Sequence, residues 1–167
     1  MEGIEHKYIE VNGLKLHVAE TGSGNSPVVV FLHGFPEIWY SWRRQMMAVA
    51  KAGYRAIAPD FRGYGLSDQP PQPGKTTFLD LTKDILALLD ALNISKVFLV
   101  GKDFGTIVIS RFVTLSEERV SGFIVMGVPF LPPGPSSLKA SLKASMFQDF
   151  GSQEELKLIL VALTPKQ

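Results

Sequence analysis

Residues 97–105 read VFLVGKDFG: an apolar run that halts at one glycine and restarts beyond a second, in FGTIVISRFVTL at 104–115. A short run without alternation fits a strand buried on both faces, and 96–100 is predicted as one. Residues 104–115 predict a helix that is apolar on most sides. The same grammar extends in both directions. Upstream, Phe78, Leu81, Ile85, Leu88, Leu89 and Leu92 form one stripe of a helix over 78–92, with Asp80, Lys83, Asp84 and Asp90 mostly off it. Residues 55–59 and 28–32 predict two more buried strands. Between them, Trp42, Met46 and Val49 fall three to four apart, predicting a helix over 41–52 capped by Ser41. At the start, Asn12-Gly13 separates β-rich runs at 7–11 and 14–19, which predicts a tight hairpin. Downstream, 122–126 is the last predicted strand. Strands alternating with helices from residue 28 onward mean a largely parallel α/β sheet.

Composition narrows the function. The chain has 167 residues, 17 Lys+Arg against 16 Asp+Glu, and no cysteine. A net charge of +1 with scattered charges argues against nucleic-acid and anionic-membrane partners. Zero cysteine excludes disulfide frameworks, thiol catalysis and thiolate metal sites. His6, His17 and His33 are spread along one end, so no metal site is expected. No apolar run approaches the ~18 residues of a membrane span. The opening MEGIEHKYIEV carries charges where a secretory signal needs an apolar run, so a cytoplasmic location is expected. Gly74-Lys75-Thr76 imitates the end of a phosphate loop, but Gln69 stands where the earlier glycine belongs, and Pro70, Pro71 and Pro73 remove amide donors.

The chemistry concentrates at Gly101-Lys102-Asp103-Phe104-Gly105. A sharp strand-to-helix turn brings neighbouring Cβ atoms together, so glycine is needed two residues before and after the central one. This is the geometry of a nucleophile elbow, here with aspartate where serine is usual. Backbone donors and the helix dipole favour negative charge at that point. A carboxylate so placed attacks saturated carbon and forms a covalent ester. On this pattern alone, Asp103 serving only as a helix cap remains an equal alternative.

His33-Gly34-Phe35-Pro36 favours the chemical reading, because it directly follows a buried strand, where an oxyanion-hole loop belongs. The amides of Phe35 and Phe104 would face developing negative charge. The competing reading is an ordinary turn with His33 as a packed, hydrogen-bonded histidine. Residues 60–68, DFRGYGLSD, read as structural, with Asp60 and Arg62 expected to pair and fix the loop.

Together HGFPEIWYSWRRQM at 33–46, APDFRGYGLSD at 58–68, VFLVGKDFG at 97–105 and GVPFLPPGPSS at 127–137 resemble the α/β-hydrolase superfamily. Within it, the resemblance is to plant-type soluble epoxide hydrolases, over roughly residues 1–137. It implies an α/β-hydrolase fold and cofactor-free hydrolysis of a small apolar epoxide to a vicinal diol. Asp103 would be the nucleophile, Phe35 and Phe104 the oxyanion-hole amides, and His33, Gly34, Pro36 and Trp39 part of the substrate pocket. The Phe35–Pro36 peptide would be cis. Two departures are local: Lys102 stands where the family usually has histidine, and Phe104 where it usually has tryptophan. Haloalkane dehalogenases share the aspartate but typically use that tryptophan to hold the halide, so dehalogenation fits less well.

The resemblance also implies parts that are not visible. A histidine base, an acid to orient it and cap tyrosines would all follow the nucleophile, yet no histidine follows His33, and Tyr8, Tyr40, Tyr54 and Tyr64 all precede the elbow. The downstream carboxylates Glu117, Glu118, Asp149, Glu154 and Glu155 end no recognisable strand. The expected organisation is therefore an incomplete hydrolase core of about six strands at 1–127, a Pro-rich linker at 128–137 and a short helical remnant at 138–167. Two helical stretches are expected there, at 138–147 and 153–163. On this reading the chain is cut within its cap region and does not turn over alone. The last strand would be an apolar sheet edge prone to self-association. The alternative function is a catalytically incompetent ligand-binding or interaction protein of the same fold.

Overall fold

Asn12 and Gly13 both take positive φ, 50° and 76°. They join β1 (Glu5–Val11) to β2 (Leu14–Thr21) as an antiparallel pair with Val11 opposite Leu14. This is the predicted two-residue turn, since positive φ at both central positions matches the twist of the flanking strands. The structure is a computed structural model and describes residues 3–127; the linker expected at 128–137 and the helices expected at 138–147 and 153–163 lie outside the described residues.

Four further strands, β3 (Val28–Leu32), β4 (Arg55–Pro59), β5 (Val97–Lys102) and β6 (Val120–Met126), complete one sheet among the described residues. Its order is β1-β2-β4-β3-β5-β6. β2 meets β4 antiparallel, whereas β4, β3, β5 and β6 run parallel. Successive side chains of β3 go to opposite faces. Val30 and Leu32 join a core with Leu81, Ile85, Leu88, Val108 and Phe112, while Val29 and Phe31 join another with Trp42, Met46 and Val49. A strand covered on both sides has no reason to alternate, which is why VVVFL reads as an unbroken apolar run.

Three α-helices supply those covers. In α1 (Arg43–Lys51), the spaced residues Met46 and Val49 are buried, as is Trp42 just before it. The expected cap at Ser41 is not observed. Residues Trp39–Trp42 form a 3₁₀ turn and Trp42 occupies the cap position without a side-chain bond. Both indoles are buried and the Trp39 amide donates to Asp60 Oδ1 at 2.8 Å, so burial and that bond fix the chain entry and move the helix start. α2 (Phe78–Ala91) opens with a capping box, in which Thr77 and Asp80 each bond the other's backbone amide. α3 (Phe104–Leu115) follows β5 after a single residue.

The expected Asp60–Arg62 pair is also replaced. Arg62 forks onto Asp84 of α2, which is 1% exposed and also accepts from Asn12 Nδ2 at 2.8 Å. Asp60 instead accepts from the His17 ring at 2.9 Å and from the amides of Trp39 and Leu66. Sequence proximity placed the two charges together, but β4 sends them toward different neighbours.

Strand order locates the functional end. From β3 the chain crosses to β4 on one side, and β5 then returns to the other side of β3. The carboxyl ends of β3 and β5 are neighbours, with Leu32 opposite Gly101, and their exit loops lead to helices on opposite faces. Open α/β sheets place ligands outside strand ends at such a switch point.

Candidate active site

Two loops meet at that point: residues 33–38 after β3 and Asp103 after β5. Asp103 has φ 50° and ψ −119°, a conformation that L-residues rarely adopt. Its backbone is tied on both sides, its amide donating to the Met126 carbonyl at 3.1 Å and its carbonyl accepting from the Thr106 amide at 3.0 Å. The carboxylate does not cap α3. Its Oδ1 accepts from the Phe35 amide at 3.0 Å. Phe104, the first residue of α3, has an amide with no carbonyl four residues back inside the helix, as every helix start leaves it.

Close approach explains the glycines. A Cβ at Gly34 would lie 2.5 Å from the Asp103 Cβ, so only glycine lets the two loops touch. A Cβ at Gly105 would overlap the Leu32 carbonyl, and one at Gly101 would come within 2.8 Å of Gly105. Helix α3 therefore sits directly on β3 and β5, as the elbow spacing requires.

The residues expected to line the pocket divide. Phe35 is 61% exposed and Pro36 is exposed, and the peptide between them is cis. The Phe35 ring lies 5.9 Å from that of Phe104, which meets Phe78 edge-on at 5.1 Å. Two of these rings belong to the residue that follows Asp103 and to the residue whose amide bonds its carboxylate. Gly34 is buried beneath the carboxylate, and Trp39 is 8% exposed, edge-on to His6. His33 is fully buried. Its Nδ1 faces the Gly34 carbonyl at 2.8 Å and its Nε2 accepts from the Phe61 amide at 3.1 Å. That assigns the neutral Nδ1–H tautomer. Burial above all lowers its pKa, against an opposing effect of the Gly34 carbonyl. With both nitrogens engaged, His33 holds the loop and has no free position for a proton from water.

Two residues near the carboxylate escaped sequence reasoning. The Tyr64 ring lies 5.2 Å from that of His33, and burial, followed by the charge of Asp103, raises the pKa of its phenol. Glu37, quoted only as part of the 33–46 stretch, pairs with Lys102 Nζ at 2.8 Å. Nothing local in the sequence marks that pair. Among the described residues, no group of three or more His, Cys, Asp or Glu is placed to hold a metal ion, and no helix is long and apolar enough to cross a membrane.

Comparison with known proteins agrees with the fold. A family model described as alpha/beta hydrolase fold matches residues 27–156. The chain belongs to the α/β-hydrolase fold family. Among curated relatives, the chain is 47% identical over 136 residues to "Epoxide hydrolase 3" of Siraitia grosvenorii, covering 81% of its own length and 42% of that protein. It is 45% identical over 147 residues to "Epoxide hydrolase" of Caballeronia sordidicola, covering 88% and 44%. Among solved structures, epoxide hydrolase from Vigna radiata superposes with a TM-score of 0.76 at 45% identity, covering 86% of this chain and 45% of that one. Potato (Solanum tuberosum) epoxide hydrolase I gives 0.73 at 42% identity, covering 85% and 46%. The chain thus spans less than half the length of these relatives.

Proposed function

We propose that this chain carries the ester-forming half of an epoxide hydrolase, with Asp103 as nucleophile. The observation that carries the reading is the carboxylate itself. It belongs to a residue held at positive φ, makes no cap bond to the helix it precedes, and is hydrogen-bonded to the Phe35 amide. In the proposed step, Asp103 Oδ2 attacks an epoxide carbon and the carbon–oxygen bond of the ring breaks. The released oxygen takes a proton from water, leaving a hydroxyalkyl ester on Asp103. The Phe35 and Phe104 amides then serve the negative charge that develops when water attacks that ester. The names of the relatives support the substrate class, and the Phe35–Phe104–Phe78 rings support an apolar epoxide. The Phe104 side chain, unlike an indole, offers no N–H to a departing halide, which disfavours dehalogenation.

No cofactor enters this step. Ester hydrolysis needs a general base, and the three histidines of the sequence are His6, His17 and His33. His17 bonds Asp60 and His6, and His33 is engaged at both nitrogens. The ester is therefore expected to persist on this chain. Incubation with styrene oxide followed by intact-mass measurement is expected to add one epoxide equivalent, mapping to Asp103 and absent from Asp103→Asn. Labelling that survives Asp103→Asn would remove Asp103 from the role. Diol release over many turnovers would overturn the persistence of the ester.

A second reading rests on β6, which pairs only with β5 among the described residues and is partly exposed at every position but Gly122. Such an edge supports binding or self-association without turnover. Concentration-dependent sedimentation with no labelling of Asp103 would favour it.

A further inference from the structure

The peptide between Gly34 and Phe35 is held from three sides. Its carbonyl accepts from His33 Nδ1 at 2.8 Å and from the Glu37 amide at 3.1 Å. Because a trans peptide is planar, with its C=O and N–H pointing oppositely, fixing that carbonyl fixes the direction of the Phe35 N–H. That N–H points at Asp103 Oδ1. The preceding amide, of Gly34, is held as well, donating to Glu37 Oε2 at 3.3 Å. Glu37 therefore grips the loop twice, through its own amide and through its carboxylate.

Glu37 is itself held from the elbow. Lys102 Nζ lies 2.8 Å from Glu37 Oε1 and 5.0 Å from the centre of the buried Trp42 ring. Lys102 is the residue immediately before Asp103, so one ion pair spans the two loops that must stay in register. Both side chains are about a third exposed, at 31% and 32%, and such a pair adds little to global stability. Its geometric effect is larger, since it restrains a long carboxylate side chain whose one other partner among the described residues is the Gly34 amide.

We propose that Glu37 and Lys102 are positioning residues for the proposed ester chemistry, a clamp that aims the Phe35 amide at the Asp103 carboxylate. This inference rests on the ester-forming role of Asp103, and it assigns a task to the lysine that departs from the resembled family. Neither residue need touch the epoxide.

The test compares the 167-residue chain with Lys102→Met, Glu37→Gln and Lys102→Arg, following the rate of ester formation with styrene oxide by intact mass. Loss of the clamp is expected to slow labelling by roughly tenfold or more, since small misplacements of reacting groups carry penalties of that size. Lys102→Arg, which keeps the cation, is expected to retain most of the rate, and melting temperatures are expected to stay close to that of the parent. Equal labelling rates in all four proteins would overturn the clamp while leaving the ester reading intact. A parent chain that never labels would instead remove the ester reading. Amide exchange decides the clamp in that case. The Gly34 and Phe35 amides are expected to exchange about tenfold faster in Lys102→Met and Glu37→Gln, and at the parent rate in Lys102→Arg. Unchanged exchange in the first two variants would overturn it.

Discussion

Asp103 holds a backbone conformation that costs about 1–3 kcal/mol for a non-glycine residue. The bonds of its amide to Met126 and of Thr106 to its carbonyl hold it there, and its carboxylate makes no cap bond to α3 but accepts from the Phe35 amide. His33 shows the opposite economy, with no exposure and both nitrogens used. Because Nε2 accepts from Phe61, protonating it would break that bond and place a charge in the core. Burial first of all keeps its folded-state pKa below 6.5. Below that value the unfolded chain takes up a proton that the folded chain refuses. The stabilisation is therefore present above about pH 6.5 and lost as pH falls through the depressed folded pKa. Thermal melts are expected to drop between pH 7 and pH 5, with His33→Gln flattening the slope whatever its absolute stability. His6, also lowered through burial and His17, contributes in the same direction and will leave part of the slope. An undiminished slope in His33→Gln would rule out His33 as a source.

At the scale of elements, α2 shows what a good start is worth. The Thr77 side chain meets the Asp80 amide at 3.3 Å, and the Asp80 carboxylate returns to the Thr77 amide at 2.8 Å. The Thr77 hydroxyl, which donates to Asp80 Oδ2 at 2.7 Å, and then the Thr77 amide hold the pKa of the Asp80 carboxyl below its ordinary value. Thr77→Ala is expected to destabilise the protein by about 1 kcal/mol, the usual size of a lost N-cap, measurable as a shift of the urea midpoint at constant slope. By contrast, α1 and α3 begin without side-chain caps. Their starts are set by contacts across the fold: α1 by buried Trp39 and Trp42, α3 by the seating of Gly105 on Leu32. The hairpin, the stripe of α2 and the glycine spacing of the elbow were legible because each depends on neighbours within a few residues. The late start of α1 was not, because Asp60 decides it.

For the whole molecule, Arg62 and Asp84 tie the loop after β4 to α2, and Asn12 adds the β1–β2 hairpin to the same carboxylate. Three separate parts of the chain converge on one buried charge. Arg62→Met leaves Asp84 largely uncompensated and is expected to destabilise by about 3 kcal/mol in urea unfolding, as when one partner of a buried pair is removed. The double variant Arg62→Met/Asp84→Leu is expected to recover part of that loss. A double variant less stable than Arg62→Met alone would show that the pair is not the source. The same long-range logic runs through the candidate site, where the Gly34–Phe35 peptide faces Asp103 only because β3 and β5 are adjacent parallel strands.

Taken by itself, the sequence determined the alternation of strand and helix, the tight Asn12-Gly13 turn, the buried character of the parallel strands and an elbow with aspartate at its centre. Those features follow from steric and burial rules that act over a few residues. Tertiary structure alone decided that the Asp103 carboxylate meets the Phe35 amide instead of capping α3, and that His33 is locked. It also gave Asp60 to His17 and Arg62 to Asp84, and paired Lys102 with Glu37. Periodicity reports how deeply a residue is buried. Its partner depends on which strands lie side by side, and that order is settled only when the sheet assembles.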